Sequence, residues 1–153
     1  MTKRNDHDYG HQVRKALPIT AVTVAVALFA AVAPAAAPAP KVTARDASVT
    51  EGTTSTALFS VKLNKKATKN VTVSFATADG TATAGADYTA TRGKVTIPKG
   101  KTSGRIKVHI IDDDIDEPTE TFVVKLSHPK GAALKTTSVT GRIFDDDVPP
   151  AGP

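Results

Sequence analysis

Three acidic runs hold most of the chemistry that this sequence can offer. They are Asp112-Asp113-Asp114, then Asp116, Glu117 and Glu120, and finally Asp145-Asp146-Asp147. Glu51 and Asp87 add single acids from more neutral stretches. Paired carboxylates can transfer protons, as in glycoside hydrolysis, and a group of them can cage a hard cation. Two carboxylates ~4 Å apart repel by ~4 kcal/mol at an effective dielectric of ~20. A whole domain is stable by only ~5–15 kcal/mol. A crowd of them must therefore splay apart, take up protons or hold an ion.

The acids have to be gathered by some scaffold, and the chain suggests which part provides it. Lys3, Arg4, Arg14 and Lys15 precede a stretch from Ala16 to Pro40 without charge, apolar almost throughout from Leu17 to Ala33. Ala33-Pro34-Ala35 and Ala35-Ala36-Ala37 follow as small-residue cleavage sites. That order predicts a secretory signal peptide over residues 1–35 and a secreted product. An uncleaved membrane anchor is the alternative, because ~20 apolar residues can span a bilayer. A linker at 36–41, one domain at 42–147 and a Pro/Gly tail at 148–153 complete the reading. The four leader bases and Asp6 and Asp8 set aside, 16 of the 20 basic and 13 of the 15 acidic residues remain, a net +3.

Beyond the leader, apolar residues alternate with period two, as in half-buried strands. Phe59, Val61 and Leu63 form one such run, and Val71, Val73 and Phe75 another. Val95 with Ile97, then Ile106, Val108 and Ile110, then Phe122, Val124 and Leu126 continue it. With Lys41 to Val49 first and Val139 to Phe144 last, the expectation is an all-β, immunoglobulin-like antiparallel β-sandwich of about seven strands. If consecutive strands alternate in direction, the acidic runs all fall at one end. Lys65, Lys66, Lys69, Lys99, Lys101, Lys130 and Lys135 fall at the other. Asp46 and Asp79 are left outside the acidic cluster, Asp79 near its rim.

The donor set narrows the cation. There is no Cys, His7 and His11 leave with the leader, His109 has outward parity, and His128 belongs to the lysine end. An all-oxygen carboxylate set suits Ca2+ rather than zinc, copper or iron, and rather than magnesium, which keeps its water. An EF-hand is excluded, because the sixth position from Asp112 is Glu117 rather than Gly and the twelfth is Val123 rather than Glu.

Six segments in order carry a resemblance. They are Val49-Thr50-Glu51-Gly52, Asp79-Gly80-Thr81-Ala82, Ala84-Gly85-Ala86-Asp87-Tyr88, Ile110-Ile111-Asp112-Asp113-Asp114, Glu117-Pro118-Thr119-Glu120-Thr121-Phe122 and Ile143-Phe144-Asp145-Asp146-Asp147. In these the chain resembles the Calx-beta domains, calcium-sensing modules of sodium–calcium exchangers, an integrin β subunit and many secreted bacterial proteins. The resemblance implies a cluster of up to four calcium ions. Its implied ligands are Glu51, Asp87, Asp112, Asp113, the carbonyl of Ile115, Glu117, Glu120, Asp145, Asp146 and Asp147. Asp116 matches a variable family position. Exchangers carry such domains in tandem, whereas one copy is expected here, so sensing and transport do not carry over.

The function expected is an exported calcium-binding module that rigidifies an extracellular interaction or adhesion surface. Its partners would be calcium ions and an extracellular protein. The alternative is binding of an anionic cell-surface or cell-wall polymer through the lysine end. Nucleic acid is not expected, because no aromatics interleave with the lysines. Nor is an enzyme: there is no GxSxG elbow, HExxH helix or phosphate loop, and aromatics to line a subsite are few.

Overall fold

The computed structural model describes residues 38–52, 55–149 and 152, so the expected leader lies outside the described residues. Among these residues nine strands follow one another: β1 Lys41–Ala44, β2 Ala47–Thr50, β3 Thr56–Leu63, β4 Val71–Asp79, β5 Arg92–Ile97, β6 Ser103–His109, β7 Glu120–Lys130, β8 Ala133–Leu134 and β9 Ser138–Phe144. They form a four-stranded sheet, β6-β3-β1-β8, and a five-stranded sheet, β2-β9-β7-β4-β5. The period-two pattern fixes the inner faces. Ala57, Phe59, Val61 and Leu63 of β3 are buried, as are Phe122, Val124 and Leu126 of β7, and their neighbours in sequence point outward. The result is the expected β-sandwich.

It differs from the expectation in two details. The stretch from Lys41 to Val49 is two strands, not one. Val42 and Ala44 face the core from even positions, whereas Ala47 and Val49 do so from odd ones. A continuous strand cannot shift parity, so the chain breaks at Arg45-Asp46. There it crosses from β3, the partner of β1, to β9, the partner of β2. Asp46 Oδ1 accepts the Thr140 amide of β9 at 2.7 Å and anchors the crossing. The second detail is that β1 with β8 and β2 with β9 pair parallel, although every other pair is antiparallel.

This topology sends β2, β4, β6 and β9 out of the sandwich at one end, where β7 begins. Cross-links draw those segments together: the Glu51 amide donates to the Phe144 carbonyl at 2.8 Å, and the Ile111 amide to the Asp87 carbonyl at 3.0 Å. At the other end the β3–β4 and β5–β6 turns interlock. The Gly100 amide donates to Ala67 at 2.8 Å, the Ala67 amide to Lys101 at 3.2 Å, and the Lys99 amide to Asn70 Oδ1 at 2.9 Å.

Between the sheets, Phe122 is the hub. Tyr88 stacks on it with centroids 4.5 Å apart, and Phe59 meets it edge-on at 5.8 Å. Aromatic pairs in such arrangements add ~0.5–1.5 kcal/mol beyond burial. The ring lies across Gly141, its partner in register on β9. A Cβ at Gly141 would run into the Phe122 ring, so only glycine leaves the space. Gly141→Ala should therefore cost ~1–3 kcal/mol as an overpacked core. At ~4–8 °C per kcal/mol for a small domain, thermal unfolding should show a midpoint about 5 °C or more below wild type. An unchanged midpoint would mean that the ring has room to move aside.

Candidate metal centre

The loops leaving the strands at the acidic end bring six carboxylates into two trios. Glu51, Asp145 and Asp147 form one, and Asp87, Glu117 and Glu120 the other; within each, one oxygen per residue lies within 4.8 Å of the others. Glu51 follows β2 and the 145–147 segment follows β9, so the parallel β2–β9 pairing sets the first trio side by side. Asp87 comes from the β4–β5 loop, Glu117 from the β6–β7 loop, and Glu120 opens β7.

Backbone amides fix the arrangement. Asp145 accepts the Glu117 amide at 2.8 Å on one oxygen and the Asp147 amide at 2.9 Å on the other, tying the two trios together. Asp87 Oδ2 accepts the Thr83 amide at 2.5 Å. Glu51 and Asp87 are both buried. Asp145, Asp87 and Glu51 therefore have little room to swing away from the other carboxylates.

Their protonation responds. Burial pushes the Glu51 carboxyl up to about 7, helped by its hydrogen bond to Asp145 and by the charges of Asp145, Asp113 and Glu117. Burial likewise pushes Glu120 up to about 7, with the Asp87 hydrogen bond and charge next in weight. Desolvation and then neighbouring carboxylates raise Glu117 and Asp147 too. Asp145 is held below the usual aspartate range by the Asp147 and Glu117 amides. Burial thus favours the protonated form on Glu51, while the two amides favour the ionised form on Asp145. Among the described residues, one buried oxygen in each trio has no hydrogen-bond partner: Asp147 Oδ2 in the first and Glu120 Oε2 in the second.

A buried, unpartnered carboxylate oxygen beside other carboxylates is a position where a cation belongs. Comparison with known proteins agrees with that chemistry. The family model for the Calx-beta domain matches residues 36–147. The chain belongs to the Calx-beta family. Over 74 residues, 48% of this chain, it is 47% identical to sodium/calcium exchanger 1 of Canis lupus familiaris. Over 77 residues it is 38% identical to the sodium/calcium exchanger Calx of Drosophila melanogaster. Each match covers only 8% of the exchanger, so the chain spans a small fraction of these relatives. Among solved structures, the apo-form Calx CBD1 domain aligns with a TM-score of 0.65 at 28% identity, covering 71% of this chain and 99% of that one. The calcium binding domain CBD12 of CALX1.1 aligns with a TM-score of 0.62 at 29% identity, covering 69% and 45%.

Within this Calx-beta domain, the trios take in six of the ten residues singled out from sequence. Asp113 lies close enough for its charge to act on Glu51, Glu117 and Asp147, and one of its oxygens accepts the Ile115 amide at 2.9 Å. Asp146 is exposed and acts on Asp147 by charge alone. Asp112 is exposed and joins neither trio. Ile115 is 61% exposed, with its side chain largely in solvent, and the carbonyl is what it can contribute. Asp116, ranked lower from sequence, is exposed and joins neither trio.

Sequence reasoning missed Asp79. It was placed outside the cluster, and its carboxylate does not join a trio, yet Asp79 Oδ1 accepts the Tyr88 hydroxyl at 2.6 Å and the Ala84 amide at 3.0 Å. The phenol is pushed up to about 12 by burial and by Asp79, and Asp79 is held low by the same bond. The available signal was the nine-residue spacing of an acid from a tyrosine flanking a loop rich in Gly, Ala and Thr.

The raised carboxyls carry a pH signature. Between the ordinary glutamate value of 4.5 and about 7, the folded domain holds protons on Glu51 and Glu120 that the unfolded chain has released. Stability of the metal-free domain therefore rises as pH falls from 8 to 5. Asp79 and Asp145, depressed below 3.8, oppose this only in more acid solution. Thermal unfolding in chelator should give a higher midpoint at pH 5 than at pH 8, with a smaller difference in Glu51→Gln. A midpoint equal or higher at pH 8 would contradict the crowding.

Proposed function

We propose that this Calx-beta domain is an exported calcium-binding module whose ions bridge the loops of the acidic end and make it a rigid interaction or adhesion surface. The observation that carries the reading is the pair of buried, unpartnered oxygens, Glu120 Oε2 and Asp147 Oδ2, one in each trio. The residues present fit calcium: every donor is oxygen, and the trios are too crowded with charge to remain fully ionised without a cation. Glu51, Asp145 and Asp147 would hold one ion and Asp87, Glu117 and Glu120 another, with Asp113 between them. Bound calcium supplies charge neutralisation and nothing reactive. Export rests on the N-terminal apolar stretch; N-terminal sequencing of protein from the medium of an exporting host should start near Ala36 to Pro40.

A second reading, binding of an anionic cell-surface polymer, is supported by the opposite end. There the interlocked turns hold Lys65, Lys66 and Lys69 around a groove of about 650 Å³ floored by Pro38, Ala39, Pro40 and Ala132. It predicts retention on an immobilised anionic polymer that salt abolishes and that Lys65→Glu/Lys69→Glu weakens. Retention unchanged by the double variant would remove it.

The calcium reading is tested on the chelated domain. Calorimetric titration should show calcium binding between micromolar and ~1 mM, with magnesium much weaker. At a hundred times its dissociation constant each site adds ~2.7 kcal/mol, so the thermal midpoint should rise by about 10 °C or more. Glu117→Gln should raise the chelated midpoint slightly, by removing a repelling charge, and blunt the calcium response. A flat titration on folded protein, or a mutant that responds like wild type, would overturn the assignment.

A further inference from the structure

We infer that Asp79 and Tyr88 are positioning residues for the second trio, acting as a brace that holds the 79–88 loop in the shape that presents Asp87. The inference rests on the calcium reading but on separate atoms. Neither residue belongs to a trio, and their side chains meet each other.

The loop is closed by one acceptor. Asp79 Oδ1 takes the Tyr88 hydroxyl at 2.6 Å from one end of the loop and the Ala84 amide at 3.0 Å from its middle. Inside that closure the Asp87 amide donates to the Thr83 carbonyl at 3.0 Å, and the Gly85 amide to Tyr88 at 2.8 Å. The Thr83 amide, one residue before the braced Ala84, is the donor that Asp87 Oδ2 accepts. The path from brace to ligand is therefore Asp79 to Ala84, then Thr83 to the Asp87 carboxylate.

The same loop sets Glu120. The Ala82 amide donates to the Thr121 carbonyl at 2.9 Å, and the Thr121 amide returns a bond to Thr81 Oγ1 at 2.8 Å. Gly80 approaches Thr121 so closely that a Cβ would strike its carbonyl. Asp87 and Glu120 thus take their spacing from one loop. The first trio is organised differently, by the amides donated to Asp145 and by the β2–β9 pairing. Loss of the brace should loosen one cation site and spare the other.

Tyr88→Phe removes one hydroxyl and keeps the ring on Phe122. Asp79→Asn removes a charge but keeps the oxygen that accepts both bonds. Calcium titrations of the folded, chelated domain, at a temperature well below every midpoint, should show one binding phase weakened about tenfold in Tyr88→Phe. The other phase should hold its affinity, and Asp79→Asn should lose less than about threefold in either. Hydrogen exchange at the Thr83 and Ala84 amides should speed up in Tyr88→Phe and not in Asp79→Asn. A Tyr88→Phe protein that titrates like wild type overturns the inference, because a purely structural phenol would lower the midpoint without moving affinity. So does an Asp79→Asn loss as large as that of Tyr88→Phe, which would mean that the charge of Asp79 acts on the ion directly. A flat wild-type titration sinks the calcium reading instead, and unchanged exchange at Thr83 and Ala84 would then sink the brace by itself.

Discussion

Carboxylates held close together by the backbone govern this domain. In open solution a group like Glu51, Asp145 and Asp147 would lower its repulsion by swinging its side chains outward into water, at an effective dielectric where pairs interact weakly. Here the amides of Glu117 and Asp147 hold Asp145, that of Thr83 holds Asp87, and burial covers Glu51. The backbone has already been committed to these positions by strand pairing. The negative charge then has two outlets, protons or a cation, and burial raises the carboxyls of Glu51 and Glu120 toward the first. The two outlets compete for the same oxygens.

Much of this was legible in the sequence, for a definite reason. Alternation such as Phe59-Ser60-Val61-Lys62-Leu63 has one reading when a single face is buried, and antiparallel succession then places Glu51, Asp87, Asp112 to Glu120 and Asp145 to Asp147 at one end. Which acids meet was not legible. Asp145 is fixed by an amide 28 positions away, and of the consecutive aspartates Asp113 acts on both trios whereas Asp112 joins neither. The break at Arg45-Asp46 did leave a trace, the parity shift between Val42-Ala44 and Ala47-Val49, but so short a run reads equally well as one strand. Asp79 escaped because charge counting looks for acids near acids, and its partner is a phenol.

The distribution of the remaining charge explains why a domain with a net positive sequence tolerates this end. Among strand residues the only carboxylates are Asp79 and Glu120, each the last or first residue of its strand at the acidic end. The strands otherwise carry Lys41, Lys62, Arg92, Lys94, Arg105, Lys107, Lys125, Lys130 and Arg142 on their outward positions. Acids are kept off both sheet faces, so strand edges and faces repel like surfaces on other copies. Concentrating the acids in loops leaves the sandwich itself free of like-charge acid pairs. The cost is confined to segments that an ion can bridge.

The aromatic stack joins that costly end to the core. Phe59 comes from the four-stranded sheet and Phe122 from the five-stranded one, and their edge contact spans the sandwich. Tyr88 extends the contact by stacking on Phe122, while its hydroxyl leaves the core to meet Asp79. Its backbone neighbour Asp87 faces the carboxylates. A residue 1% exposed therefore stands one peptide bond from a charge cluster, with no flexible segment between them. Disturbance of the cluster cannot be absorbed by a soft loop, and must be felt at the ring stack. By the same reciprocity, packing around Phe122 and Gly141 bears on how well the oxygens of Asp87 and Glu120 are held. In this domain the stability of the core and the geometry of the acidic end are one problem, solved through a single tyrosine.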